Sequence, residues 1–157
     1  MPKFRNLDEL EEYIREQLKE SLSEDVVQTV KEVEIDEIED KVYNVYPNPQ
    51  QYQRRGSNGG LLDIENIVAT PIFNGNYFSI KNLTKKYQVN EYLAPLIEFG
   101  HNRAVALGYR GYDFERYGLA YMNPRPFTQS TIDRLERSKE HIKAMKEGMK
   151  ARGFRVR

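Results

Sequence analysis

The chain has 157 residues, 39% hydrophobic and 31% charged, with a formal net charge of zero and no cysteine. That length suits one domain with a sizeable core, and the absence of cysteine excludes disulfides, thiolate metal sites and cysteine nucleophiles together. No apolar run approaches the roughly 18 residues of a membrane span, and the opening "MPKFRNLDELEEY" lacks the apolar centre of a signal peptide.

Charge is spread unevenly. Residues 1–40 hold 14 acids and 5 bases, 41–124 hold 6 and 9, and 125–157 hold 4 and 10, so the net charge runs −9, +3, +6. Such polarity either pairs the two ends of one chain or docks one copy against its neighbour.

The first predicted element is helical and spans 6–41. Asn6 can cap it, with Glu9 at the reciprocal capping-box position. Leu7, Leu10, Ile14 and Leu18 recur every three or four residues as an apolar stripe. Ser21 or Ser23 is expected to interrupt the helix, with Glu24 and Asp25 opening a second one. That second segment is rich in β-branched residues, which lean towards strand. However, Val26, Val30, Val33, Ile35, Ile38 and Val42 keep helical spacing, and helix is the reading taken.

Residues 42–100 read as loop and sheet. "VYNVYPNPQQYQRRGSNGG" ends the helix with its prolines and glycines, and Tyr43, Tyr46 and Tyr52 are expected to anchor the loop. Asn74-Gly75 lies between two apolar runs and predicts a hairpin, because both residues tolerate the positive φ of a type I′ turn. Phe78 and Ile80 alternate with Ser79 and Lys81 as a half-buried strand requires, and Pro71 points to an edge or bulge. "YLAPLIEFG" reads as a short helix or strand-to-turn segment.

A long loop is expected over 101–126, rich in glycine and tyrosine. A single C-terminal helix over 127–152 follows, capped by Thr128 and stapled by Phe127 and Ile132. Its buried stripe would be Ile132, Leu135, Ile142, Met145 and Met149, with Gly153 ending it.

Two stretches carry the candidate chemistry. In "QYQRRGSNGGLLD" (51–63), Arg54 and Arg55 stand against Gly56, Gly59 and Gly60. A phosphate-cradling loop would need a Lys and a hydroxyl residue after its last glycine, where Leu61 and Leu62 stand, so nucleotide binding of that type is excluded. "GSNG" superficially matches the GXXG clamp of KH domains, but "YPNPQQYQ" upstream cannot be the helix such a clamp requires. A tight connector is the better reading. In the second stretch, Tyr109, Arg110, Tyr112, Arg116, Tyr117 and Tyr121 interleave rings and cations, which suits stacking on bases. Asp113 and Glu115 among them favour protein contact instead. Glu98 and His101 could supply two metal ligands but have no companion motif, and no serine sits in a nucleophile elbow. An enzyme is not expected, nor any cofactor or metal.

"YLAPLIEFG" (92–100) followed by "YMNPRPFTQSTIDRL" (121–135) resembles a family of small phage head–tail joining, or tail-completion (neck), proteins, in the subgroup found in phages and prophages of Gram-positive bacteria. The likeness spans roughly residues 7 to 150. It implies an α+β fold, with N-terminal helices and a long C-terminal helix packed on a small, mostly antiparallel β-sheet. It also implies a virion protein, made in the bacterial cytoplasm, whose copies form a ring at the head–tail interface. The implied partners are itself, the connector or stopper, and tail-tube proteins, with DNA in the channel as a further one and no membrane.

Under that resemblance Arg54, Arg55, Tyr109, Arg110, Tyr112, Arg116 and Tyr117 are candidates for an interface or the DNA channel. Asn74, Gly75, Pro124, Arg125, Pro126 and Phe127 are expected structural anchors. The alternatives are a tail terminator that caps the tail tube and, from another class, a small nucleic-acid-binding protein.

Overall fold

A computed structural model describes residues 3–45, 54–85, 92–106 and 123–156, with backbone alone over 101–106. The helical frame starts where the sequence indicates. Asn6 Oδ1 accepts the Glu9 N–H at 2.8 Å, and Glu9 reaches back to the Arg5 N–H at 2.9 Å, satisfying two donors that a helix start leaves open. From there the helical backbone runs on to Tyr43: α1 (Leu7–Ser21), a π-helical turn (Leu22–Val26), α2 (Val27–Ile38) and a second π-helical turn (Glu39–Tyr43).

The expected break at Ser21 or Ser23 does not occur. Both hydroxyls are taken by carbonyls, Ser21 by Met145 at 3.4 Å and Ser23 by Glu20 at 3.0 Å, so neither competes for a helix start. The irregularity is absorbed by the wider turn, in which the Val27 N–H bonds the Leu22 carbonyl. Helix also wins over strand along 24–42, because Val33, Ile38 and Val42 are buried on one side. Leu7 and Leu18, expected in the apolar stripe, are instead 81% and 40% exposed.

The C-terminal segment is two helices, not one. α4 (Phe127–Ser138) and α5 (Glu140–Ala151) meet at Lys139, whose φ of 58° and ψ of 24° are left-handed. Hydrogen bonding survives the break: Lys139 N–H reaches Leu135 O, and Lys139 O takes the N–H groups of Ile142 and Lys143, all at 3.0 Å. The helix face is re-phased, however. Thr131, Gly148 and Met149 are buried, whereas Ile132 and Ile142 of the expected stripe are 45% and 43% exposed. Gly153 closes α5 at φ 90°, with Gly153 N–H on Lys150 O and Phe154 N–H on Met149 O, a Schellman arrangement.

α4 and α5 run antiparallel to the long N-terminal helix. Arg134 lies 3.1 Å from Asp36 and 3.7 Å from Glu37, while Arg152, eighteen residues on, lies 2.6 Å from Glu24, 2.7 Å from Asp25 and 3.7 Å from Glu20. Part of the −9 and +6 imbalance is thus resolved within the chain. Past α5, the Phe154 ring stacks on Tyr13, which meets Phe4 in turn.

The remaining elements among the described residues are a short 3-10 turn (Ile64–Asn66), a hairpin and one helix, making the fold α+β. β1 (Ile67–Ile72) and β2 (Tyr77–Asn82) pair antiparallel from Ile67–Asn82 to Ile72–Tyr77. α3 (Ala94–Ala106) carries a kink at Gly100, φ 70° and ψ 165°. The expected long loop over 101–126 is therefore helical at its start. Ile38, Val42, Leu61, Ala94, Ile97 and Phe127 form one core cluster that joins the long helix, the glycine loop, α3 and α4.

At Gly148 the backbone of α5 lies directly against the long helix. A Cβ there would collide with the Asp25 carboxylate and the Ser21 hydroxyl. Gly→Ala in a free helix interior stabilises by about 1 kcal/mol; here the expected sign is reversed, because Asp25 is held by Arg152. Gly148→Ala should lower stability by about 1–2 kcal/mol and Gly148→Val by more, read as falling urea midpoints at constant m-value.

Candidate functional site

The glycine loop wraps around Tyr43, the last residue of the N-terminal helical run. Arg54 Nη1 donates to the Tyr43 carbonyl at 3.1 Å, and its guanidinium lies 5.5 Å from the centre of the Tyr43 ring. Arg55 donates to the Lys85 carbonyl. Burial pushes the Tyr43 phenol above its ordinary pKa, opposed by the Leu61 and Gly56 amides and by the charges of Arg54 and Arg55. The two arginines singled out in the sequence thus each bind a carbonyl of their own chain. Arg54 is half-buried and Arg55 is exposed.

Glycine is required by space as much as by angle. Gly56 and Gly59 have φ of 54° and 72°, and a Cβ at Gly60 would run into the backbone of Gly56. A buried polar network then ties the loop to the foot of the hairpin. Thr84 Oγ1 donates to Gly60 O at 3.0 Å, Asn66 Nδ2 to the same carbonyl at 2.9 Å, and Asn82 Nδ2 to Leu61 O at 2.9 Å. Thr84 is fully buried and Asn82 8% exposed, so these bonds satisfy groups that would otherwise be costly to bury.

Held by that foot, the hairpin stands outward. Ile67 is fully buried at its base, while at the tip Ile72 is 41%, Tyr77 64% and Phe73 74% exposed. Asn74 and Gly75 adopt the expected positive φ, 55° and 79°, and the Asn76 N–H closes the turn on the Phe73 carbonyl. Phe73 itself is also left-handed, at φ 49°. That conformation is unfavourable for a bulky residue, and its ring leans edge-on to Tyr77, centroids 5.8 Å apart. No charged residue occurs from Asn66 to Ile80.

A third feature sits where α3 meets α4. Pro126, with φ −76° and ψ 67°, is the centre of an inverse γ-turn closed by the Phe127 N–H on the Arg125 carbonyl at 2.8 Å. Arg125 N–H bonds Ile97 O at 2.9 Å, and Phe127 is 1% exposed. Arg125 and Phe127 are thus fixed at this joint by the Ile97 carbonyl and by burial. Thr128 is not the cap, however. Its N–H and that of Gln129 go to the two carboxylate oxygens of Glu98, at 2.9 and 3.3 Å. A carboxylate from α3 therefore serves the positive end of α4.

Glu34 on α2 faces this joint. It is 5% exposed, and burial, reinforced by the charge of Glu98 and opposed by Lys31, pushes its pKa up to about 7. Among the 14 acids of the first 40 residues, only spacing against Val33 and Ile38 could have singled out Glu34.

Of the remaining candidates, Tyr109, Arg110, Tyr112, Arg116 and Tyr117 lie outside the described residues, as do Tyr46, Tyr52 and Tyr121. His141 is half-buried, its Nδ1 without a hydrogen-bond partner among the described residues. Among those residues no group of three His, Cys, Asp or Glu could hold a metal, and no helix is long and apolar enough to cross a membrane.

The model of one protein family, YomN, matches residues 6–151. The chain belongs to the YomN family. The match runs from the Asn6 cap to the last residue of α5, so the helical frame, the glycine loop and the hairpin all fall inside it. YomN is a phage and prophage type of name, and the chain is a phage-related protein. No curated protein and no solved structure matches it.

The joint has a pH signature. Glu34 binds its proton more tightly in the folded chain, near 7, than at its ordinary 4.5. Stability therefore falls as pH rises from about 4.5 to 7, and the penalty is complete above 7. Glu34→Gln should remove that slope, adding roughly 2–3 kcal/mol at pH 8 and little at pH 5; urea midpoints at both pH values measure it. Glu98→Ala should cost about 1–2 kcal/mol through loss of the α4 cap, with earlier amide exchange at Thr128 and Gln129 as the local readout.

Proposed function

We propose that this YomN-family protein is a structural component of the phage particle that joins the tail to the capsid connector, its copies arranged as a ring. The observation that carries the reading is the hairpin. A two-stranded ribbon alone is marginal in water, yet this one holds Phe73 and Tyr77 in the open on a stretch of fifteen uncharged residues (66–80). Exposed aromatic anchors on a rigid, charge-free projection are the composition of a protein-contact hot spot.

Three further features support the same reading. The family is phage-related. The chain's segment order resembles small head–tail joining proteins. The foot of the hairpin is fixed by a buried network, which lets a contact at the tip transmit load to the helical frame. The function proposed is mechanical: the chain fits its surface to connector and tail-tube proteins and turns over no substrate.

In a phage carrying the gene, the protein should be found in purified particles at the head–tail junction. Phe73→Ser combined with Tyr77→Ser should leave its thermal midpoint within a few degrees, because both side chains are exposed. The same variant should lower infectious yield at least a hundredfold, with filled heads and free tails accumulating separately under the electron microscope. Mature particles that lack the protein, or normal yield from the double variant, overturn the reading.

A further inference from the structure

The ion pairs that hold the helices together leave two charged faces pointing outward. On α5 and its break residue, Lys139, Lys143, Lys146 and Lys150 follow i, i+4, i+7, i+11 spacing, and all four are exposed. That spacing places them on one face of a helix, and buried Gly148 and Met149 mark the other side. Among the described residues only Lys143 of the four has an ion-pair partner, Glu147 at 3.9 Å. On α1, exposed Asp8, Glu12 and Glu16 follow i, i+4, i+8 spacing and form no ion pair among the described residues.

The two faces cannot satisfy each other within one chain. Arg152 meets the long helix at Glu20, Glu24 and Asp25, and the pairing runs antiparallel. Lys143 to Lys150 therefore stand level with the helix beyond Asp25, whereas Asp8 to Glu16 lie at the opposite end, roughly 20 Å away along the axis at 1.5 Å per residue. That end of α1 is also thinly supported. Residues 7–9, 11 and 12 are exposed, and among the described residues its ring contacts run through Tyr13 alone, to Phe154 and Phe4.

We infer that the acidic face of α1 in one copy docks on the lysine face of α5 in the next copy. The proposal rests on the ring reading above and names the surfaces that would build it. The charges are opposite, and both stripes run along a helix at the same one-turn repeat. The lysine stripe also has an exposed aliphatic neighbour, Ile142, one turn before Lys146. A lysine stripe alone would equally suit phosphates, but an exposed isoleucine has nothing to gain from a phosphate backbone, so the observations favour a protein surface. Because the two faces are different, the contact is heterologous and repeats from copy to copy, closing a ring when the rotation permits.

The test uses the full-length chain in sedimentation velocity at low and high salt. The wild type should associate at low salt and dissociate as salt rises, as exposed ion pairs require. Lys143→Glu, Lys146→Glu and Lys150→Glu together, or Asp8→Lys, Glu12→Lys and Glu16→Lys together, should each weaken association at least tenfold. A chain carrying all six changes should recover it, and that recovery is something mere misfolding cannot produce. A monomeric wild type at low salt and hundreds of micromolar overturns the inference, as does association indifferent to either triple reversal. Loss of binding to a DNA duplex on lysine reversal, with self-association intact, overturns it in favour of a nucleic-acid face. Self-association that follows the charge swap in a protein absent from phage particles would keep this contact and remove the head–tail reading. A particle-borne protein insensitive to the swap would do the reverse.

Discussion

The contact between Gly148 and the first π-turn sets the register for the rest of the molecule. There a backbone without a side chain lets α5 close on Ser21 and Asp25, and Arg152 then binds Asp25, with Glu20 and Glu24, from the next turn. Because the two helical runs are antiparallel, fixing this end also fixes the far end, where Arg134 meets Asp36 and Glu37. That far end is where Ile38, Val42 and Phe127 come together with Leu61, Ala94 and Ile97. The glycine loop, α3 and the foot of the hairpin are attached there. Ion pairs this exposed contribute little by themselves; their effect here is to select one alignment of two helical runs that could otherwise slide.

The sequence revealed those parts of the fold whose bonds close within a few residues. Asn6 with Glu9, Asn74 with Gly75, and Gly153 at the end of α5 each satisfy the backbone locally, and all three stand where their chemistry requires. Features fixed from a distance were not legible. Nothing local to Leu22–Val26 indicates a wide turn; it is paired with α5 more than a hundred residues later. Lys139 is an ordinary helix former, and its left-handed backbone makes sense only once Gly148 and Met149 must face inward. Thr128 lost its capping role to Glu98, thirty residues upstream, because a carboxylate across the joint is a better partner for a positive helix end than a hydroxyl.

The candidate site was partly visible in the same sense. The glycine loop attracted notice as unusual, but the partners of its arginines lie 11 and 30 residues away, beyond what spacing can show. Asn74-Gly75 makes the hairpin legible in the sequence, but the exposure of its tip is not legible there. The available signal was an absence: fifteen consecutive uncharged residues in a chain where charge is otherwise frequent. Alternation marked Phe78 and Ile80 as half-buried, as they are, but Ser79 between them is half-buried too, and nothing in the pattern hinted that Phe73 would be turned outward by its own backbone.

The two wide turns in the N-terminal helix can be viewed as single residues added to a regular α-helix. Each surplus residue swings everything before it about the axis by roughly 100°. Removing one residue between Leu22 and Val26 would restore an unbroken helix with every hydrogen bond made. It would also carry Asp8, Glu12 and Glu16 round to a different compass bearing, together with Tyr13, Glu20 and Ser21, which now meet Phe154, Arg152 and Met145. Length at that one point is therefore an angular setting for the whole amino-terminal arm, and those three contacts hold it at its present value.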